Sequence, residues 1–534
     1  MIFILFSSYI FVLFNPMMEI DAMQYASISR ELLRGDNILH IFDNGSFYLD
    51  KPPLIFWCSA LFFKIFGASD IVYRLPSLLF SLLTIYSTFK FSRLYYSKEV
   101  AYTAAVILSS CIGLCIMNGD VRTEIYMMGP MMTAIWQLDL FFKNNKWRNL
   151  VLSCIAISFA MMGKGPLGMV IPLAVVGIDL LMKKKINLIF DIKLFAGILI
   201  IIFCLLPMSY GLYTQFGFYG LEFFYWTQSF GRITGASGWS NNTGPFYLFN
   251  VFLYSFLPWT GIFIWSFFRC TKDLLFRKWP EGQIEIVSCA GFCVPLVMLS
   301  LSNYKLPHYI YCVFPFAAII TSIIIVEYCQ HVKTYIRIYL IQIGISIFML
   351  IFMFGLVSYV FPPKISFFFI PLIILMVFGY WHLYSKNDNL VRLLIPSVAI
   401  SILFNYAFNI GFMKPLMNYQ SQSKAAKYLK SLNADIDSLY FYKDNKTYKS
   451  RSFNFYLDLN TKYINNEYFQ SEQLNKPMII YTNEEGYNSL LQSNQSVEIL
   501  KTFEHTRISK LKKNFFNPEN RKSILKKKFL LKLS

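Results

Sequence analysis

The chain has 534 residues, 56% of them hydrophobic and only 15% charged, and its mean hydropathy is positive. Soluble domains carry about 25% charged residues, so a soluble globular protein is excluded and an all-α polytopic membrane protein is indicated. The net charge of +19 does not call for nucleic acid, because Lys and Arg gather beside membrane spans for topological reasons, and no nucleic-acid partner is expected.

The ten cysteines lie in or beside apolar segments and none follows Lys414, which excludes a disulfide framework. Cys111 with Cys115, and Cys289 with Cys293, sit one helical turn apart without the His or acidic neighbours that would complete a zinc site of about four ligands. Residues 1–14 are apolar but short of the roughly 17–25 residues of a span. They lack a basic leader and a cleavage site, so a retained first helix is expected, with its start left open.

A first outer loop, about 17–72, follows. Its stretch Glu19 to Trp57 packs acids, a lysine and two prolines between apolar segments. Asp21 with Gln24 has the spacing of a capping box, Ala22, Tyr25, Ile28 and Leu32 recur at helical steps, and Gly35 is placed to close the helix. Asp50-Lys51-Pro52-Pro53 then bars any continuation of a helix from upstream.

Further apolar runs near 75–96, 101–117, 125–142, 150–163, 165–182, 194–212, 246–268, 284–301, 309–328, 338–360, 366–384 and 391–411 bring the expected total to about 13 transmembrane helices. Between the runs 150–163 and 165–182, Gly163-Lys164-Gly165-Pro166 makes a tight reversal. If the spans alternate, Lys90, Arg93, Lys98, Lys143, Lys146, Arg148, Lys183 to Lys185, Arg269, Lys272, Arg277, Lys278, Lys333 and Arg337 share the cytoplasmic side. The opening loop, the Asp120 turn, the 213–245 loop, the Ser302 to His308 turn and the tail after Lys414 then share the outer face.

The tail alternates helical segments (Ser423 to Leu432, Glu484 to Leu491) with β-like runs (Leu439 to Tyr442, Met478 to Tyr481, Val497 to Phe503). The expected division is thus a membrane domain, 1–413, and a small C-terminal extramembrane α/β domain, 414–534. The basic stretch Lys510 to Lys532 reads either as a solvated end or as a surface for anionic lipid headgroups.

On the outer face, Asp21 can be a helix cap, a proton acceptor, or both, since a carboxylate at a helix N-terminus stays ionised. Tyr25 lies one turn on and borders the same pocket. Asp50 opens the turn in which Pro52 and Pro53 hold Lys51 stiffly enough to meet a phosphate. Asp120 is either an interfacial acid paired with Arg122 or a second carboxylate facing Asp21. Lys164 and Lys305 are lone cations in Gly- or Pro-rich turns, where snorkelling is the plainer explanation. The planar fork of Arg232 suits phosphate oxygens, and together these charges meet the needs of one reaction, with Lys51, Lys164, Arg232 and Lys305 expected to bind a phosphate leaving group and Asp21 and Asp120 as the catalytic carboxylates.

The runs DAMQYASISREL, YLDKPPLIFW, VYRLPSLL, NGDVRTE, GKGP and SNYKLPHYIY together resemble the polyprenyl-phosphate-sugar-dependent membrane glycosyltransferases. That family includes protein O-mannosyltransferases and, closer in layout, the aminoarabinose transferases that modify lipid A. The resemblance implies a GT-C helical bundle and inverting transfer from a lipid-phosphate-linked sugar, with no nucleotide sugar bound directly. It also implies Asp21 as general base, Lys51 and Lys164 near the donor phosphate, Asp120 as the second loop acid, and Lys305 with Tyr309 as the KLPxY turn.

The chain departs from the family pattern at Ala22, where many relatives have a second acid, at Asp50, where lipid A transferases often have Glu, and at Gln228, where His or an acid is expected. A divalent metal used by some relatives therefore has no assigned ligand here, and no other cofactor is expected. The expected partners are a polyprenyl-phosphate sugar, a lipid or protein acceptor and membrane lipids, and the expected location is the bacterial inner membrane with the site facing the periplasm. A flippase for lipid-linked sugars and a noncatalytic scaffold are the rivals; the former should place ionisable residues at mid-span and often shows repeats.

Overall fold

The structure is a computed structural model describing residues 9–228, 231, 240–241, 243–276, 285–385, 388–432, 439–442, 450–459, 461–464, 478–492 and 496–533. Arg232 lies outside the described residues, as does the start of the first helix. The membrane region is a helical bundle. Among the described residues six helices are long and apolar enough to cross a bilayer, and the bent pair Lys98–Ser110 and Ile112–Asp120 makes a seventh if counted as one span. Leu54–Phe66, Leu167–Met182 and Val287–Ser300 are shorter apolar helices. Thr123–Asn144 and Trp147–Lys164 complete the part of the bundle nearest the opening loop.

Close helix approach explains the small residues in this region. A Cβ on Gly129 would stand 2.8 Å from the Phe80 carbonyl oxygen, so the 70–92 and 123–144 helices meet there almost backbone to backbone. The GKGP reversal forms between Trp147–Lys164 and Leu167–Met182. Gly165 takes φ +81°, a conformation that costs a residue with a Cβ, and Pro166 leads into the next helix.

In the opening loop, Asp21–Leu32 is helical as its spacing predicts, but the expected capping box is absent. The N-cap is Ile20, at φ +118°, and it makes no side-chain cap. Asp21 is the first helical residue and its carboxylate points elsewhere; the Gln24 amide donates to Asp43 Oδ2 at 2.9 Å. Gly35 does not close the helix, which ends through Leu33 in ordinary right-handed conformation. A two-stranded ribbon, β1 (Phe42–Asp43) with β2 (Ser46–Phe47), precedes the Asp50-Lys51-Pro52-Pro53 turn and the Leu54–Phe66 helix.

The tail contains a five-stranded sheet of β3 (Leu439–Tyr442), β4 (Lys462–Ile464), β5 (Met478–Asn483), β6 (Val497–His505) and β7 (Lys526–Leu533), in the order β4-β3-β5-β7-β6. The β3 pairings are parallel and those of β7 antiparallel. The periodic segments of the sequence recur as β3, β5, β6 and the helices Ser421–Ser431 and Glu484–Leu491. The basic end differs from the sequence reading. KKKFLLKL is an internal strand whose Phe529, Leu530, Leu531 and Leu533 are buried, so only part of Lys510 to Lys532 is a solvated surface.

Two anchors, the buried Arg74 and the half-buried Asp70, set the loop over the bundle. Arg74, in the Asp70–Ser92 helix, donates to the carbonyls of Asn15 at 2.7 Å, Gly119 at 3.1 Å and Pro16 at 3.2 Å. Hydrogen bonds of a charged donor contribute about 1.5–3 kcal/mol each, so this side chain ties the start of the loop to the Asp120 turn. Asp70, at the head of the same helix, accepts from the Met17 amide at 3.1 Å, the Tyr456 hydroxyl at 2.6 Å and Lys427 at 3.0 Å.

The tail clasps the loop from outside. Glu19 Oε1 accepts from the Ser423 amide at 3.0 Å and its hydroxyl at 2.9 Å. Asp43 pairs with Arg451 at 2.9 Å and Arg30 with Asp458 at 3.0 Å.

Candidate active site

The site grows from the turn between Ile112–Asp120 and Thr123–Asn144. Val121 stands in the left-handed region at φ 40° and Arg122 is extended, so the chain reverses sharply between the two helices. This turn aims the Arg122 guanidinium at two carboxylates. Its Nε donates to Asp120 Oδ2 at 2.6 Å, and its Nη1 donates to Asp21 Oδ2 across 101 positions of sequence. The two sequence readings of Asp120, as partner of Arg122 and as companion of Asp21, are thus realised together. Burial opposes the charge on Arg122, but Asp120 and Asp21 outweigh it and hold the group above the ordinary arginine range. Asp120 Oδ1 is buried without a hydrogen-bond partner among the described residues, while Asp21 remains about one third exposed.

Tyr25 stands one turn beyond Asp21 and packs edge-on against Phe56, as does Tyr48, each at 5.8 Å between ring centres. Burial, followed by the neighbouring Tyr48 and Asp21, raises the Tyr25 phenol; burial and Asp50 raise that of Tyr48. Both therefore stay protonated donors beside the carboxylates. In the acidic-Lys-Pro-Pro turn Lys51 Nζ donates to Asp50 Oδ2 at 2.6 Å, with Lys51 mostly buried and Asp50 more open. The Gln228 amide donates to the Asp50 backbone carbonyl.

A second buried cluster adjoins the first. Lys164, from the GKGP turn, donates to Glu124 Oε1 and lies 4.5 Å above the Tyr309 ring. Glu124 is 1% exposed, and His308 Nε2 stands 3.6 Å from the same Oε1. His308 feels the charges of Glu124, Arg122, Lys164 and Lys51, which places both clusters in one electrostatic neighbourhood.

Lys305 is arranged differently from the expectation of a phosphate ligand. It is 6% exposed and its Nζ donates to the Thr243 carbonyl at 3.1 Å. Asn241 brackets its backbone, accepting from the Lys305 amide at 3.1 Å and donating to its carbonyl at 2.7 Å.

Of the residues singled out in sequence, the structure brings together Asp21, Tyr25, Asp50, Lys51, Asp120, Lys164 and Tyr309, and turns Lys305 toward a loop. Glu124, His308 and Tyr48 were not singled out. All three lie inside the motifs NGDVRTE, KLPHY and YLDKPP, and that adjacency was the only available signal. Among the described residues no group of three or more His, Cys, Asp or Glu side chains could hold a metal. Asp50 and Gln228, at the positions in question, engage Lys51 and backbone, so no metal set is assigned.

Residues 50–210 match the family described as dolichyl-phosphate-mannose-protein mannosyltransferase. An uncharacterized protein of Aquifex aeolicus (strain VF5) is 28% identical over 300 residues, covering 56% of this chain and 57% of that protein. The undecaprenyl phosphate-alpha-4-amino-4-deoxy-L-arabinose arabinosyl transferase of Wigglesworthia glossinidia brevipalpis is 25% identical over 319 residues, covering 58% and 55%. These matches thus span little more than half of the relatives' length.

The crystal structure of ArnT from Cupriavidus metallidurans bound to undecaprenyl phosphate superposes with TM-score 0.78 at 16% identity, covering 99% of this chain and 96% of that one. That likeness establishes the fold, a GT-C helical bundle followed by a sheet-containing C-terminal region. The family match over residues 50–210 and these sequence relatives make the chain similar to polyprenyl-phosphate-sugar-dependent membrane glycosyltransferases.

Proposed function

We propose that the chain transfers a sugar from a polyprenyl-phosphate donor to an acceptor hydroxyl or phosphate at the membrane face that carries the sheet. The observation that carries this reading is the joining of Asp21 and Asp120 through Arg122, beside Lys51 and Lys164. Asp21 is the more open carboxylate and takes the acceptor proton. The acceptor oxygen forms its bond to the anomeric carbon as the bond from that carbon to the phosphate oxygen breaks. The electron pair leaves with the phosphate, whose charge Lys51, Lys164 and Arg122 offset. A single displacement inverts the centre. Tyr25 and Tyr48 donate to sugar or phosphate oxygens. No step is assigned to a metal.

The helix ends opposite the site carry Lys90, Arg93, Lys143, Lys146 and Lys183, which favours a periplasmic site in a bacterial inner membrane. The arabinosyl transferases among the relatives favour an aminoarabinose donor carried on undecaprenyl phosphate, and the resemblance to lipid A transferases favours a lipid A or envelope-glycan acceptor over a protein. The decisive experiment compares, by mass spectrometry, the envelope lipids and glycoproteins of cells with and without the chain. A lipid A mass increment that is lost with Asp21→Asn supports the reading; a glycoprotein change alone moves the acceptor to protein. Unchanged spectra together with donor translocation would establish a flippase.

A further inference from the structure

A largely apolar recess edged by two cations lies away from the Asp21 site. It encloses about 470 Å³ and is lined by Phe361, Lys364, Phe367, Pro415, Pro518 and Arg521, among others. Its walls come from the shared end of three membrane helices, 332–360, 365–384 and 389–417, and from the basic segment of the tail. Ile508, Phe515, Leu511 and Ile524 of that segment pack with Val357, Val360 and Phe361, so the tail is seated on the helix ends.

Arg521 is fixed in this wall. Its Nε donates to the Phe515 carbonyl at 3.0 Å and its Nη2 to the Val360 carbonyl at 2.5 Å. The guanidinium lies 4.6 Å from the Phe361 ring centre and 5.0 Å from that of Phe515. Carbonyls and rings orient the fork but leave its full charge uncancelled, and neither Arg521 nor Lys364 has a carboxylate partner among the described residues. Beside the recess the helix flank is apolar and open: Ile365 is 82% exposed, and Phe369, Leu372 and Tyr359 are exposed as well. Two uncompensated cations in a recess at a bilayer boundary, with bare apolar surface alongside, complement an amphiphile with an anionic head.

We propose that this recess binds the phosphate headgroup of an anionic phospholipid of the surrounding leaflet, its acyl chains lying along the 332–360 and 365–384 helices. The site holds a structural lipid that fastens the tail to the membrane domain, and it does not depend on the transferase reading above. The test is native mass spectrometry of the full chain in detergent, titrated in parallel with phosphatidylglycerol, phosphatidylcholine and undecaprenyl phosphate.

Wild type is expected to retain phosphatidylglycerol over phosphatidylcholine. Lys364→Glu and Arg521→Gln should each lower that retention by about fivefold, whereas Lys430→Glu, on an exposed position of the Ser421–Ser431 helix, should not. Lys364 is exposed, so its variant decides the matter even if Arg521→Gln fails to fold. Equal retention of the anionic and zwitterionic lipids, or wild-type retention by Lys364→Glu, overturns the proposal. So does a loss confined to undecaprenyl phosphate, which would mark the recess as a donor-lipid site.

Discussion

Asp21 and Asp120 share one counter-ion: the Arg122 guanidinium binds both carboxylates, one from the opening loop and one from the end of a membrane helix. The pairing fixes the orientation of Asp21 without covering it, as the proposed role of base toward an incoming acceptor requires. Asp21→Asn keeps the shape and one acceptor oxygen but cannot take a proton. Turnover of an undecaprenyl-phosphate sugar in a membrane assay should fall by about 10²–10⁴, with donor KM nearly unchanged. Transfer near the wild-type rate would falsify the base assignment.

Removing the cation tests a different property. Arg122→Gln leaves two carboxylates close together without their shared partner, and like charges in a part-buried site repel. A stability loss of roughly 2 kcal/mol is expected, below the usual cost of breaking a fully buried pair because Asp21 is partly solvated. Asp120→Asn introduced alongside should recover part of it. Thermal melting of the purified single and double variants measures both effects.

Lys164 and Glu124 make the more deeply buried pair. Lys164→Met takes the ammonium away from the Glu124 carboxylate and Glu124→Gln takes the carboxylate away from the ammonium, so each should destabilise by about 3–5 kcal/mol. Their combination should cost clearly less than the sum. Activity separates the roles. If Lys164 also meets the donor phosphate, Lys164→Met lowers transfer in protein that remains folded, and adding Glu124→Gln restores stability without restoring transfer. Recovery of both together would make the lysine purely structural.

What the sequence revealed, and what it concealed, follows from the range of the interactions. The Asp21–Leu32 helix, the GKGP reversal and strands β3, β5 and β6 are encoded by local spacing and turn residues, and they were legible. The capping box failed because a tertiary ion pair competed for Asp21 and won. Strand β7 was obscured by its own lysines, since KKKFLLKL alternates too weakly to announce that its middle is core. Glu124 and His308 could be recognised only once the 123–144 helix and the 307–313 turn were brought side by side. The same holds for the clasp between Glu19 and Ser423, which are 404 positions apart.

That clasp has a pH signature. Burial raises the Glu19 carboxyl above its ordinary range, against the opposing hydrogen bonds from Ser423 and Ser452. The folded chain therefore holds this proton more tightly than the unfolded one. The resulting stabilisation is fully present below the unfolded value and is lost as pH rises through the folded value. The melting temperature of wild type relative to Glu19→Gln should accordingly decline as pH rises above the ordinary glutamate value of about 4. A difference that grows over that range would show the carboxylate to be stabilised by the clasp instead.

Lys305 provides the sharpest contrast between motif and geometry. As one of the outer-face cations it is expected to meet the donor phosphate, whereas its ammonium is buried against the Thr243 carbonyl and its backbone is bracketed by Asn241. A lysine spent in this way stabilises the outer turn and the loop that follows the 192–216 helix. Lys305→Gln retains a donor that can meet the same carbonyl, so it should melt within about 1 kcal/mol of wild type and leave donor KM within about threefold. Lys51→Gln removes a cation from the site itself and should cost about 10²–10³ in rate. If Lys305→Gln loses as much rate as Lys51→Gln while remaining folded, the ammonium must leave Thr243 to meet the donor phosphate, and the buried arrangement is that of the resting site.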